Sequence, residues 1–363
     1  MQGQRMGIRP ALLLGLLVVI GISGLSGHWH RVASTDSSEP PLAAVAYPTV
    51  NANRLWTTLI ELAQDRYREA DRAKIRADLT AALESAGWAT RQQPFSQTVE
   101  GQPYQGINII AESPSSCATH SPYPSPDALR FASIRGKDTP PPETDCLNAP
   151  FLLIGAHYDA VPGSPGADDN ATGMAALLEV AQLFSPKTIS LPLKLVFFDG
   201  EEAGLWGSQA FAADAAETEE VSGAIILEML GYRCQVEGCQ QYPPLPVSPP
   251  TQIGDFLAVV GDRAHPDLTQ AFQQSASTLP IYTLSIPTVA GLAPDLIRSD
   301  HVSFWRQGIG AVMVTDTANF RNPHYHQESD RPDTLDREFF TAATQTIVNV
   351  VAQLTHSASP PPL

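Results

Sequence analysis

The chain is 363 residues long, 43% hydrophobic and 17% charged, which is enough apolar length to bury a sizeable core in one large domain or two medium ones. A formal net charge of -16 leaves nothing to neutralise a phosphate backbone. This argues against a nucleic-acid partner and leaves room for cations.

At the N-terminus, Arg5 and Arg9 precede an uncharged run from Ala11 to Gly27. Positive residues ahead of an apolar stretch read as an export signal, and the run is slightly short for a full span. Residues 1–34 therefore fit either a signal anchor or a cleaved signal peptide, with Val32-Ala33-Ser34 a weak cleavage site. Both place the rest of the chain in a periplasmic or extracellular setting, and only the anchor keeps a membrane segment. Residues 35–50 are polar and contain prolines, as a linker would.

From 51 to 88 the apolar residues Leu55, Leu59, Leu62, Leu79 and Leu83 recur at helical spacing, which predicts two helices with a break near Ala70–Asp71. "GINIIAE" (106–112) and "PFLLIGAH" (150–157) predict strands. The Pro/Ser-rich stretch 113–149 between them has no periodicity and reads as a surface insertion. Strands and helices then alternate: helix 170–184, strand 191–199, helix "LWGSQAFAADA", strand 223–230, strand "DFLAVVG", a helix near Asp267–Ala276, strand "IYTLSI", helix "DHVSFWRQ", strand "GAVMVTD", and a last helix from Asp336 to about Leu354. This order predicts an α/β fold: one three-layer domain over 51–358, with a central, mostly parallel mixed sheet flanked by helices. The four cysteines are an even count in an exported chain and predict disulfides. Proximity suggests Cys117–Cys146 and Cys234–Cys239 among the three possible pairings.

In such sheets ligands bind beyond the carboxyl ends of the strands. His157 and Asp159 follow one strand, Glu201 and Glu202 a second, Glu228 closes a third, and His326 follows a fourth by a short loop. Singly, each reads as a helix cap, a solvated carboxylate or a structural histidine, and Asp169 with Asn170 could simply cap the next helix. Together, two histidines and several acids on one edge need a cation, and mixed His/carboxylate ligation suits zinc.

"GAHYDAVPGSPGADDNATGMAALLEVA", "FFDGEEAGLWGS", "LEMLGY", "SDHVSFW" and "NPHYHQESDRPDTLD" resemble, in order, the signature segments of the secreted two-zinc aminopeptidases typified by the Streptomyces and Aeromonas enzymes, which are related to glutaminyl cyclases. The resemblance covers about residues 105–355. It implies two Zn ions per chain, with His157 and Glu228 on one, His326 and Glu202 on the other, and Asp169 bridging. It makes Glu201 the general base, Asp159 the partner of the His157 imidazole, and Tyr325 a stabiliser of the developing oxyanion. It also implies a cis Asp169–Asn170 peptide and a peptide substrate with a free N-terminus. Glu228 departs from the family's usual Asp, and Asp168 stays open as the bridging residue, although the register of "DNATG" favours Asp169. The rival readings are a single-zinc glutaminyl-peptide cyclotransferase and a non-catalytic, membrane-tethered ectodomain; the retained His157 and the intact ligand set favour hydrolysis. Segments 231–246 and 113–149 are both candidates to border the site, Phe304 and Trp305 fit core positions, and Asp199 has no assigned catalytic role.

Overall fold

The computed structural model describes residues 30–31, 47–99, 102–112, 150–184, 191–244, 249–287 and 294–356. The apolar run 11–27, the insertion 113–149 and the Cys117–Cys146 pairing lie outside them, as does most of the 35–50 linker. Among the described residues no helix is long and apolar enough to cross a membrane.

Helix α1 (Ala52–Leu62) starts where the Asn51 side chain accepts from the backbone N–H groups of Asn53 and Arg54, both at 3.1 Å, and it buries Leu55, Leu59 and Leu62. Helix α2 (Glu69–Ser85) buries Ile75, Leu79 and Leu83. The break between the two lies at 63–68, ahead of the predicted Ala70–Asp71, because Glu69 and Asp71 occupy the first turn of α2, where the helix dipole favours acids.

The strands are β1 (His30–Arg31), β2 (Ala89–Val99), β3 (Gln102–Glu112), β4 (Phe151–His157), β5 (Leu193–Phe198), β6 (Val221–Glu228), β7 (Leu257–Asp262), β8 (Ile281–Ile286) and β9 (Ala311–Thr315). The remaining helices are α3 (Gly173–Phe184), α4 (Trp206–Ala213), α5 (Ala215–Thr218), α6 (Asp267–Gln274), α7 (His301–Trp305) and α8 (Arg337–His356). One sheet runs in the order β1-β8-β7-β9-β6-β4-β5-β3-β2. Its centre, β5-β4-β6-β9, is parallel, and antiparallel pairs flank it at β3/β5 and β7/β9.

Strand β2 was not foreseen. Its sequence, ATRQQPFSQTV, is polar on both faces and carries Pro94, as only an edge strand tolerates, and none of its described side chains is fully buried. The sequence therefore shows no apolar alternation there. The inner strands behave as expected: Leu152, Ile154, Leu195 and Ile225 join one apolar cluster with α1, α2, α3, α6 and α8, whereas Leu153, Val196, Phe198 and Ile226 join another under α4 and α7. Phe304 and Trp305 belong to that second cluster and are core.

Candidate metal centre

Four chain segments converge past the carboxyl ends of β4, β5, β6 and β9. His157 is the last residue of β4, Glu228 the last of β6, and Glu201 and Glu202 follow β5 in a turn. Asp169 sits on a buried turn, 167–172, whose Asp169–Asn170 peptide is cis, as the resemblance implied. His326 lies on the loop after β9 with a left-handed φ of 59°.

Two trios of potential ligands result, His157/Asp169/Glu228 and Asp169/Glu202/His326, with the donor atoms of each trio within 4.8 Å of one another. Asp169 belongs to both. Its Oδ1 lies 3.2 Å from His157 Nε2, and its Oδ2 lies 3.2 Å from His326 Nε2. Glu228 Oε1 is 3.5 Å from His157 Nε2, and Glu202 Oε2 is 3.1 Å from His326 Nε2. Asp168 faces elsewhere, accepting from Gly231 N–H at 2.9 Å and Asn322 Nδ2 at 2.7 Å.

The surroundings fix these side chains. The Asp159 carboxylate accepts the N–H groups of Glu201 and Glu202, both at 3.1 Å, and lies 3.5 Å from His157 Nδ1, whose nearer contact is the Asp159 carbonyl at 3.2 Å. Ser299 Oγ donates to Glu228 Oε2 at 2.6 Å. Asn170 donates to the Leu227 carbonyl and accepts from Met229 N–H, which ties the cis turn to the end of β6. Asp330 accepts the N–H groups of Asp168 and Asp169. Sequence reasoning passed over Ser299 and Asp330, although both lie inside the quoted segments "SDHVSFW" and "QESDRPDT". It also passed over Arg66, which no motif marks.

The cluster is electrostatically unbalanced. Burial opposes charge on His157, yet Glu228, Glu201, Asp159 and Asp169 outweigh it and lift its pKa well above the ordinary value. Burial opposes charge on His326 as well, but Asp169 and Glu202 raise it to about 10. Burial would raise Asp169, and the two imidazoles hold it well below the carboxylate range instead. Burial, then Asp169, push Glu202 up to about 7. Burial pushes Glu201 well up; His157 opposes this, while Glu228, Asp300 and Glu202 add to it. With no cation, the imidazoles are driven to hold protons where lone pairs would serve a metal. His157 Nε2, His326 Nε2 and Glu202 Oε1 are buried without a hydrogen-bond partner. Orphaned nitrogen and oxygen donors around a shared carboxylate are what a zinc site requires, so the residues fit the group.

The sequence profile of Peptidase family M28 matches residues 139–351, more than half of the chain. The chain belongs to peptidase family M28. An uncharacterized Escherichia coli protein, YfbL, is 36% identical over 225 residues, which cover 58% of this chain and 68% of that one. Leucine aminopeptidase 1 of Arthroderma gypseum is 27% identical over 342 residues, 86% of this chain and 80% of its own length. Among solved structures, a zinc aminopeptidase from Bacillus subtilis superposes with a TM-score of 0.63 at 13% identity, over 86% of this chain and 97% of that one; at that identity the likeness speaks for the fold.

In this M28 peptidase the candidate ligand trios open onto a partly open cavity. Asp169, Glu201, Glu202 and Glu228 form its charged end, and Ala258, Val260, Leu296, Met313 and Phe320 supply apolar wall. Tyr325 also lines it, its ring stacked on that of His326 at 3.7 Å between centroids. Gln240 to Pro243 complete one side, just past the Cys234–Cys239 disulfide, so the 231–246 candidate borders the site through these four residues, whereas 113–149 lies outside the described residues.

Proposed function

We propose that this M28 peptidase is an exported zinc aminopeptidase that holds two ions per chain and releases N-terminal residues from peptides. The observation that carries the reading is the pair of ligand trios sharing Asp169, which presents one carboxylate oxygen to each histidine at the edge of an apolar cavity. The name of the Arthroderma relative, a leucine aminopeptidase, supports the same chemistry. His157, Asp169 and Glu228 would hold one ion, and Asp169, Glu202 and His326 the other. Zinc bound there supplies Lewis acidity toward the scissile carbonyl and a lowered pKa for the attacking water.

The chain's own residues do the rest. Glu201 lines the cavity beside both trios without belonging to either, so its carboxylate is free to take a proton from the attacking water and return it to the leaving amine. Asp159 holds the Glu201 and Glu202 amides, which lets neighbouring side chains serve different partners. Tyr325 lines the same cavity, and its hydroxyl would stabilise the developing oxyanion by a hydrogen bond. The substrate ammonium meets an acidic end, and the apolar wall takes an apolar N-terminal side chain. The Cys234–Cys239 disulfide supports an oxidising compartment, in keeping with the export signal read from Ala11 to Gly27.

The test combines metal content with four substrates: a leucine chromogenic substrate, its N-acetylated form, a leucine peptide and an N-terminal glutaminyl peptide. The expected result is two zincs per chain, release of free leucine that stops with chelator, and no cleavage of the blocked substrate. Pyroglutamate as the main product, or hydrolysis indifferent to chelator, overturns the reading.

A further inference from the structure

Arg66, on the loop between α1 and α2, is fully buried and makes six contacts to backbone carbonyl oxygens. Its Nε–H donates to Tyr158 at 2.9 Å. Nη1 reaches Leu62 at 2.8 Å, Gln64 at 2.9 Å and Pro165 at 2.8 Å, and Nη2 reaches Gly166 at 2.8 Å and Asp169 at 3.2 Å. Among the described residues no carboxylate pairs with it directly. Burying a guanidinium is costly unless its donors are satisfied, and here four of the six accepting carbonyls lie on the stretch from His157 to Asp169 that carries candidate ligands. Tyr158 is flanked by His157 and Asp159, and Gly166 immediately precedes the turn 167–172 that carries Asp169.

The grip on Asp169 is two-sided. Its carbonyl faces Arg66, and its N–H donates to Asp330 at 3.1 Å. The turn is wrapped closely around the guanidinium: a Cβ on Gly166, which has a φ of +58°, would fall 2.2 Å from the Asp169 carbonyl oxygen and 2.4 Å from Arg66 Nη2. Burial lowers the Arg66 pKa, and the charges of Asp169, Asp330, Asp159 and Glu202 offset that only in part. Arg66 also lies outside the span 139–351 that the family profile matches.

We propose that Arg66 is a positioning residue for the metal centre, setting the backbone from which Asp169 and His157 reach the two ions, so that the N-terminal helical hairpin is part of the catalytic unit. This rests on the zinc reading above. Lysine offers three donors from one point and cannot span six carbonyls, so Arg66→Lys keeps the charge and loses the geometry.

The experiment compares wild type, Arg66→Lys, Arg66→Met and Gly166→Ala as full chains. Zinc dissociation constants come from chelator competition, the visible spectrum from cobalt-substituted protein, and thermal stability from the metal-free form. Arg54→Met, which breaks the α1 ion pair with Glu179 at 2.7 Å, serves as a stability control. The expected result is zinc binding weakened about 10- to 100-fold in Arg66→Lys and Gly166→Ala, as for other supports of metal ligands, with a shifted cobalt spectrum and unaltered zinc affinity in the control. Arg66→Met should be weaker still; if it does not fold, the other two variants decide. Zinc affinity within about 3-fold of wild type in Arg66→Lys and Gly166→Ala, whatever their stability, makes Arg66 a fold residue only and overturns the proposal. A wild type that binds no zinc overturns the reading beneath it instead.

Discussion

Asp199 and Glu202 sit on one turn after β5, and the chain answers their charges in opposite ways. Asp199 is wholly buried and matched by fixed groups: Arg72 Nε at 3.0 Å, Arg76 Nη1 at 3.7 Å, the Tyr104 hydroxyl at 3.2 Å and Ile107 N–H at 3.0 Å. Glu202 meets His326, and its Oε1 is buried with no partner. The two arginines belong to α2 and do not line the cavity. A crowded carboxylate is therefore not by itself the mark of a site. The distinguishing feature is whether a cation of the chain already stands opposite it. Asp199 braces the turn, which delivers Glu201 and Glu202 to the cavity, where Glu202 Oε1 has no fixed partner.

The comparison breaks most sharply at Glu201. Glu201→Gln keeps the shape and the backbone bond to Asp159 but cannot accept a proton. The expected outcome is a loss of kcat of about 10³-fold or more, at unchanged zinc content, since a positioned base contributes about 10² to 10⁴. Activity within tenfold of wild type would put Glu201 in the same structural class as Asp199.

The structural side of the comparison is tested at Arg72. Arg72→Met leaves Asp199 buried without its nearest cation, and breaking such a pair costs about 3–5 kcal/mol. Denaturant unfolding near pH 7 should show a loss of that order, while kcat of the folded enzyme falls far less than in Glu201→Gln. A loss under about 1 kcal/mol would mean that Tyr104, Ile107 and Arg76 suffice without Arg72.

The same division explains what the sequence made legible. The candidate ligands were visible because the chemistry restricts residue types: His157, Asp169, Glu202, Glu228 and His326 each stand at the end of a strand or on a loop beyond one, where few other reasons would gather them. Strands such as "LKLVFF" were visible because burial on both faces demands an unbroken apolar run. Arg66, Arg72 and Arg76 were not, because their partners are backbone carbonyls and a carboxylate on distant segments, and an arginine in a polar helix reads as solvated. Edge strand β2 escaped for the complementary reason, with no buried face to impose a period.

A smaller effect separates the two carboxylate classes by pH. Burial, then Asp159, push Asp199 up to about 6 against the pull of Arg72, from an ordinary value of 3.8. The folded state therefore holds a proton that the unfolded chain has released between those two values. The sign follows from linkage: this stabilisation is fully present below about pH 4, falls as pH rises through 6, and is gone above it, with a full amplitude of about 3 kcal/mol. Asp199→Asn has no proton to lose. In metal-free protein, unfolding free energies measured at pH 5 and 7.5 should fall more steeply with pH in wild type than in Asp199→Asn, by a fraction of that amplitude. Parallel slopes would show that the arginines hold Asp199 ionised throughout, with its charge fully matched by the α2 cations.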